Sequence, residues 1–249
     1  MGNEPSFDPR FDFRTDSNGQ DPDSASPRLK AAHKLLWSKE LPGGDLFSLN
    51  DSIPGEYLVH ASPRGRFSLA SDTCVPSWSS WTRPRISGIT SQVPTAELDR
   101  YDTLTYQMGA MLLFPRNGPG LNRGTSLNQD RGTNGYIVDR LDLTVECIRR
   151  YYEAKDEPSP ERVSPLAETL HRWSDFFELF QDFSGYADFF LLRDLLADDG
   201  STVNFFLPFS GFQWWPFPLD ANEYANYRRR ALDFVEARNC RMEDWVSNR

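Results

Sequence analysis

The residues of this chain whose types and spacing best suit chemistry lie between 128 and 146: Asn128, Arg131, Asp139, Arg140, Asp142 and Glu146. Two guanidinium groups in one short window can grip an anion, because their planar forks match phosphate and carboxylate oxygens. Asn128 would orient such a ligand, with Asp139 beside it as a further binding residue. Asp142 and Glu146 are spaced four apart, which places both carboxylates on one face of a helix, where either can act as acid or base. The expectation is a pocket built around residues 128–146 for a small anionic, nucleotide-like ligand that is bound or turned over. In it Asp142 and Glu146 are catalytic, and Asn128, Arg131, Asp139 and Arg140 hold the ligand. The charge column also has a purely structural reading. Glu146 precedes Arg150 by four residues and Arg149 precedes Glu153 by four, so these pairs neutralise each other. Asp139 and Asp142 also complement the positive end of a helix dipole.

The elements that must position these residues follow from periodicity. Thr105 to Phe114 reads as a strand, stopped by Pro115, and residues 115–135 read as a long loop rich in glycine and asparagine. Loops of that length in compact domains are often functional. From Asp139 to Ala154, Leu141, Val145, Ile148 and Tyr152 recur at helical spacing, so the loop feeds a helix N-terminus, where free N–H groups attract anions. The loop carries neither a phosphate-binding GxxxxGK[ST] nor a GxGxxG at a tight turn.

Two other constellations compete. Residues 205–217 hold seven aromatics (Phe205, Phe206, Phe209, Phe212, Trp214, Trp215 and Phe217). They can cap the core, or present an interface in a non-catalytic protein–protein interaction module. His60, in the β run Tyr57 to Ser62, resembles the strand histidine of ADP-ribosyltransferases, a third reading that requires it to share a cleft with a glutamate. His33 and His171 sit on helices among charged neighbours and read as solvated. A Ser–His–acid triad lacks its GxSxG elbow.

Composition excludes several classes. The net charge is −9 with 25% charged residues, which argues against general nucleic-acid binding. Cys74, Cys147 and Cys240 are widely separated and odd in number, without zinc spacing, and read as free, buried thiols in a reducing compartment. No metal site is expected, and the sequence names no cofactor. No apolar run reaches the length of a membrane span, and the N-terminus lacks an apolar signal core, so the expected location is cytoplasmic.

The fold expected is α+β: a small, mainly antiparallel sheet packed against a helical C-terminal half, in a single domain over residues 27–249. Residues 1–26, with six acids against two bases, read as a flexible or draped acidic tail. Glu56 to Ser62 and Arg66 to Ser71 form a hairpin, and Thr202 to Leu207 a further strand. Helices are expected at 28–38, 95–103, 139–154, from Ser164-Pro165 through Phe180, at 186–197 and at 222–246. Residues 76–84 read as a loop.

Tyr106 to Pro115, Leu127-Asn128, Arg131-Gly132 and the run Asp139 to Tyr152 resemble an uncharacterised bacterial domain-of-unknown-function family. The likeness continues through Asp175 to Phe180, Asp182 to Tyr186 and Phe189 to Leu192, with Leu35 to Ser38, Ser71-Asp72-Thr73, Tyr227 to Arg229 and Ala237 to Asn239. The resemblance implies one domain and supplies no activity.

Overall fold

The computed structural model describes residues 7–78, 86–154 and 163–249. Among these, strands β1 (Leu49–Asn50), β2 (Leu58–Ser62), β3 (Gly65–Thr73) and β4 (Met111–Arg116) form one antiparallel sheet in the order β1-β2-β3-β4. The hairpin closes at Ser62↔Gly65 around Pro63-Arg64, with Gly65 at φ 151°. Met111 to Phe114 are wholly buried, and β4 lies at the edge of the sheet, where Pro115 deprives no interior ladder of a donor.

The helices are α1 (Pro22–Ala25), α2 (Pro27–Trp37), α3 (Ser87–Thr90), α4 (Thr95–Thr105), α5 (Leu127–Thr133), α6 (Leu141–Glu153), α7 (Ala167–Arg172), α8 (Ser174–Phe177), α9 (Phe183–Phe189) and α10 (Ala221–Ser247). Asp220 caps α10 by accepting from the Glu223 N–H at 2.8 Å, while Glu223 reaches back to the Leu219 N–H at 2.8 Å. That helix crosses the turn before β4, where Gly109 N–H donates to Asn239 Oδ1 at 2.7 Å. Arg238, fully buried, donates to the carbonyls of Gly109, Met111 and Phe190. The core is aromatic: Trp37, Phe47, Phe176, Phe180, Tyr186, Phe189 and Phe190 meet through tilted and edge-on ring contacts.

The α+β, single-domain architecture agrees with the sequence reading, and several elements differ. Residues 7–26 are draped on the domain: Phe13 is buried, its N–H donates to Tyr106 O, and Met108 N–H donates to Pro9 O. Residues 202–207 add no strand to the sheet; Val203 makes an isolated bridge to Leu196 and its chain is otherwise irregular. The stretch 115–135 is no plain loop, because Ser126 caps α5 within it. The expected helix through 166–180 breaks into α7, α8 and a 3-10 turn at Glu178–Phe180, and that at 186–197 gives way to α9 and a 3-10 turn at Arg193–Leu195. Of the expected loop at 76–84, residues 79–84 lie outside the described residues.

Candidate functional site

Arg131 projects from the last turn of α5 into the interior and is fully buried. Its Nε donates to Thr144 Oγ1 at 2.8 Å, its Nη2 to the Asp139 carbonyl at 3.0 Å, and its Nη1 bonds Asp72 Oδ2 and lies 3.3 Å from Asp139 Oδ1. Phe114 lies under the guanidinium plane at 4.9 Å. Burial opposes its charge, yet the Cys74 sulfur and the carboxylates of Asp72 and Asp139 override it and hold Arg131 more firmly protonated than usual. Asp72 stands near the end of β3, and its pKa is raised by burial and by the nearby Asp139 and Asp23 carboxylates, against the pull of Arg131. Asp23, on α1, accepts the Thr73 N–H at 3.1 Å; burial first, then the charge of Asp21, pushes its carboxyl up to about 7. Crowded carboxylates share too little positive charge to stay fully ionised.

Beside this cluster lies a cavity of about 550 Å³ lined by Arg14, Thr73, Trp78, Asp102, Tyr106, Asn128, Gln129 and Asp139, among others. Arg14 is occupied: it pairs with Asp12 at 2.7 Å, donates to Thr103 at 2.9 Å and stacks 5.0 Å over Tyr106. Three wall residues carry buried polar atoms that lack hydrogen-bond partners among the described residues: Asn128 Oδ1, Asp139 Oδ1 and Trp78 Nε1. For Asp139 Oδ1, the 3.3 Å approach of Arg131 is an ion pair without hydrogen-bond geometry, so the acceptor is under-used. Buried orphans of this kind are uncommon in folded proteins. Two of the same residues also hold left-handed backbone, Trp78 at φ 57° and Asp139 at φ 71°, with Val138 at φ 47° preceding it. Such conformations are costly for a bulky or branched side chain and gather at functional sites.

The expected site residues therefore divide. Asn128 and Asp139 reach the cavity, and Arg131 lies beneath it as the cluster's counter-charge. Arg140 and Asp142 turn away to form a buried pair, with Nε–Oδ1 at 3.0 Å and Nη2–Oδ2 at 2.5 Å. Arg140 also donates to Pro216 O at 2.7 Å, and Asp142 accepts the Phe206 N–H at 2.8 Å, so the pair ties α6 to the aromatic segment. Glu146 is held by Arg149 and Arg150; burial would raise its pKa, but their hydrogen bonds prevail and lower it. The catalytic roles expected for Asp142 and Glu146, and the anion-gripping roles for Arg131 and Arg140, do not fit this arrangement, because each group is already saturated. The signals missed in the sequence are Asp23, Asp72 and Trp78, which come from two segments, around 23 and over 72–78, distant from 128–139 and sharing no local pattern with it.

His60 is enclosed between Phe47 and Phe67, with ring centroids at 4.2 and 6.2 Å and Nδ1 3.2 Å from Ser48 O, so it opens into no cleft. His33 is buried rather than solvated: Trp37 Nε1 donates to its Nδ1 at 3.0 Å, which leaves Nε2–H to donate to Ser71 Oγ at 2.9 Å. That tautomer cannot take the Ser71 proton, and burial lowers its pKa to about 3. Cys74 and Cys147 are buried free thiols, whereas Cys240 is exposed. Among the described residues no group of three or more His, Cys, Asp or Glu side chains is arranged to hold a metal ion, and no helix is long and apolar enough to cross a membrane.

Fold and cavity together define an α+β domain with a pocket of mixed polar and apolar lining, beside the buried cluster of Asp23, Asp72 and Arg131, at the end of a four-stranded antiparallel sheet. The chain belongs to a family of unknown function, DUF6994, whose model matches residues 7–242. The match begins inside the draped N-terminal segment, so Asp23 falls within the matched region along with the rest of the cluster. No curated protein and no solved structure matches the chain.

Proposed function

We propose that this domain binds a small molecule bearing a positive charge and hydrogen-bond donors in the cavity walled by Trp78, Asn128 and Asp139. The reading rests on one observation: residues with strained backbone and unsatisfied buried polar atoms converge on the wall of one cavity. Asn128 Oδ1 and Asp139 Oδ1 ask for donors, and Trp78 Nε1 for one acceptor. The surrounding charge favours a cation over the anion expected from the sequence. Among the described residues Asp23, Asp72 and Asp139 gather around the Arg131 guanidinium, and Arg14 is taken up by Asp12. The free thiols Cys74 and Cys147 and the acidic composition support a cytoplasmic setting for this role.

Isothermal titration calorimetry with agmatine, putrescine and ATP tests it. Asparagine tolerates left-handed backbone, so Asp139→Asn removes charge without added strain. A charge-assisted hydrogen bond contributes about 1.5–3 kcal/mol, so the variant should bind the amine roughly 10- to 100-fold more weakly. Binding of ATP in preference to both amines would refute the reading.

A second reading has its own observation. Trp214, Trp215 and Leu219 are 61%, 46% and 70% exposed, large apolar side chains on one short stretch, as an interaction module would present. Sedimentation of the wild type and of the Trp214→Ser/Trp215→Ser double variant tests whether this patch drives self-association; identical profiles at high concentration would remove that form of the reading.

A further inference from the structure

Several donors on the wall of the cavity beside the carboxylate cluster are already spent inside the protein. Thr73 Oγ1 donates to Thr105 O at 2.8 Å, Thr105 Oγ1 to Asp102 O at 2.9 Å and Thr133 Oγ1 to Gln129 O at 2.8 Å. The Asn128 amide is used the same way: its Nδ2 donates to Ser71 O at 3.1 Å, which fixes the side chain and leaves Oδ1 as an acceptor without a partner among the described residues. Arg14 gives its Nε and Nη2 hydrogens to Asp12 and Thr103. The Trp78 indole N–H stands apart. Trp78 is 3% exposed, and its ring packs 4.7 Å from Tyr227 and 5.5 Å from Phe217, which fixes the direction of the N–H. An indole nitrogen only donates, and this one has no acceptor among the described residues, so the group that satisfies it must bring a lone pair.

We propose that the ligand of this cavity is a cationic amide, whose charged head meets Asp139 and Asn128 and whose uncharged carbonyl accepts the Trp78 N–H. The proposal rests on the cation-binding reading above and adds the acceptor to it. Two orphaned acceptors and one orphaned donor on one wall match a ligand that carries a cationic donor group and a lone pair together. A plain protonated diamine has donors alone, so it would fill the first two and strand the third. The charge around the cavity decides which acceptor fits. Asp23, Asp72 and Asp139 gather around the Arg131 guanidinium, and Arg14 on the wall is taken up by Asp12. A ligand carboxylate would find both of these guanidiniums engaged and would be repelled by the same acids. An amide carbonyl offers its lone pairs without that charge.

Calorimetry on the full chain with agmatine, L-argininamide and L-arginine tests this. The three share a guanidinium chain and an amine, and differ in one substituent: hydrogen, carboxamide or carboxylate. At about pH 6.5 the amines stay protonated, so the first two carry the same charge. One neutral hydrogen bond gained should make L-argininamide bind about 3- to 10-fold more tightly than agmatine, with L-arginine weaker than the amide. In Trp78→Phe the advantage of the amide over agmatine should vanish. In the wild type the Trp78 indole proton should move further downfield with the amide than with agmatine, a readout that needs no variant. Agmatine binding as tightly as L-argininamide and moving the Trp78 proton equally, or L-arginine binding as tightly as the amide, would overturn this inference and leave the cation-binding reading standing. If none of the three binds, the cation-binding reading falls and takes this inference with it.

Discussion

Replacing Asp142 by asparagine keeps the size of the side chain and removes its charge, which isolates what the buried pair contributes. In the wild type Arg140 and Asp142 are 2% and 0% exposed and joined by two hydrogen bonds, so neither charge has water to fall back on. With the carboxylate neutralised, the Arg140 guanidinium keeps Pro216 O and loses its only counter-charge among the described residues. Breaking a buried pair in this way costs about 3–5 kcal/mol, most of it the stranded charge. For a chain of this size that lowers the melting temperature by roughly 6–20 °C. Arg140→Leu should cost a similar amount, because Asp142 would then keep only the Phe206 N–H. The double change Arg140→Leu/Asp142→Leu removes both charges, so it should cost less than the sum of the singles by at least about 2 kcal/mol. Urea unfolding of the three variants measures this cycle. Singles that each lose less than about 1 kcal/mol, the range of a solvent-exposed pair, would refute the reasoning. So would unaltered stability together with lost ligand binding, since Asp142 would then belong to the site rather than to the scaffold.

Two further outcomes follow from the same structure. Asp23 is held up to about 7 by burial and by Asp21, so its protonated form stabilises the fold; that contribution is full below about pH 4 and is lost as pH rises through 7. Asp23→Asn should therefore gain stability relative to wild type between pH 5 and pH 8, and a urea-melt difference that does not vary with pH would contradict this. Gly109→Ala would press a methyl group against the Val235 carbonyl and to 2.8 Å from Asn239 Oδ1, forcing α10 off the turn before β4, at about 1–3 kcal/mol by thermal denaturation. Gly88→Ala, in α3 with nothing within 4 Å, should be neutral or stabilising; a larger loss there than at Gly109 would contradict the packing account.

The parts of the fold written in one-dimensional periodicity were readable from the sequence. The helix expected at 222–246 is α10, and the hairpin expected from Glu56 to Ser62 and Arg66 to Ser71 is that of β2 and β3. Leu141, Val145 and Ile148 likewise mark the inner face of α6. The candidate cavity was half legible. Asn128 and Asp139 on its wall stood out because polar residues concentrate before α6. Their companions Asp23, Asp72 and Trp78 did not, because chain folding alone brings these segments together. The proposed ligand differs in charge from the one expected for a related reason: a sequence shows that Arg131 and Arg140 are present, but not that Asp72 and Asp142 pair with them. His33 was misread as solvated because its burial depends on Ser71, a strand residue far along the chain that no local pattern on α2 reveals.

The pocket itself is tested most directly through a buried donor on its wall. The Trp78 indole N–H has no acceptor among the described residues and lines the cavity, so its proton resonance should report an occupant. In a ¹H–¹⁵N spectrum of the chain's seven tryptophans, with the Trp78 signal assigned by its loss in Trp78→Phe, that peak should shift on titration with agmatine and stay in place with ATP. A Trp78 peak that ignores agmatine, or that moves only with the nucleotide, would contradict the account.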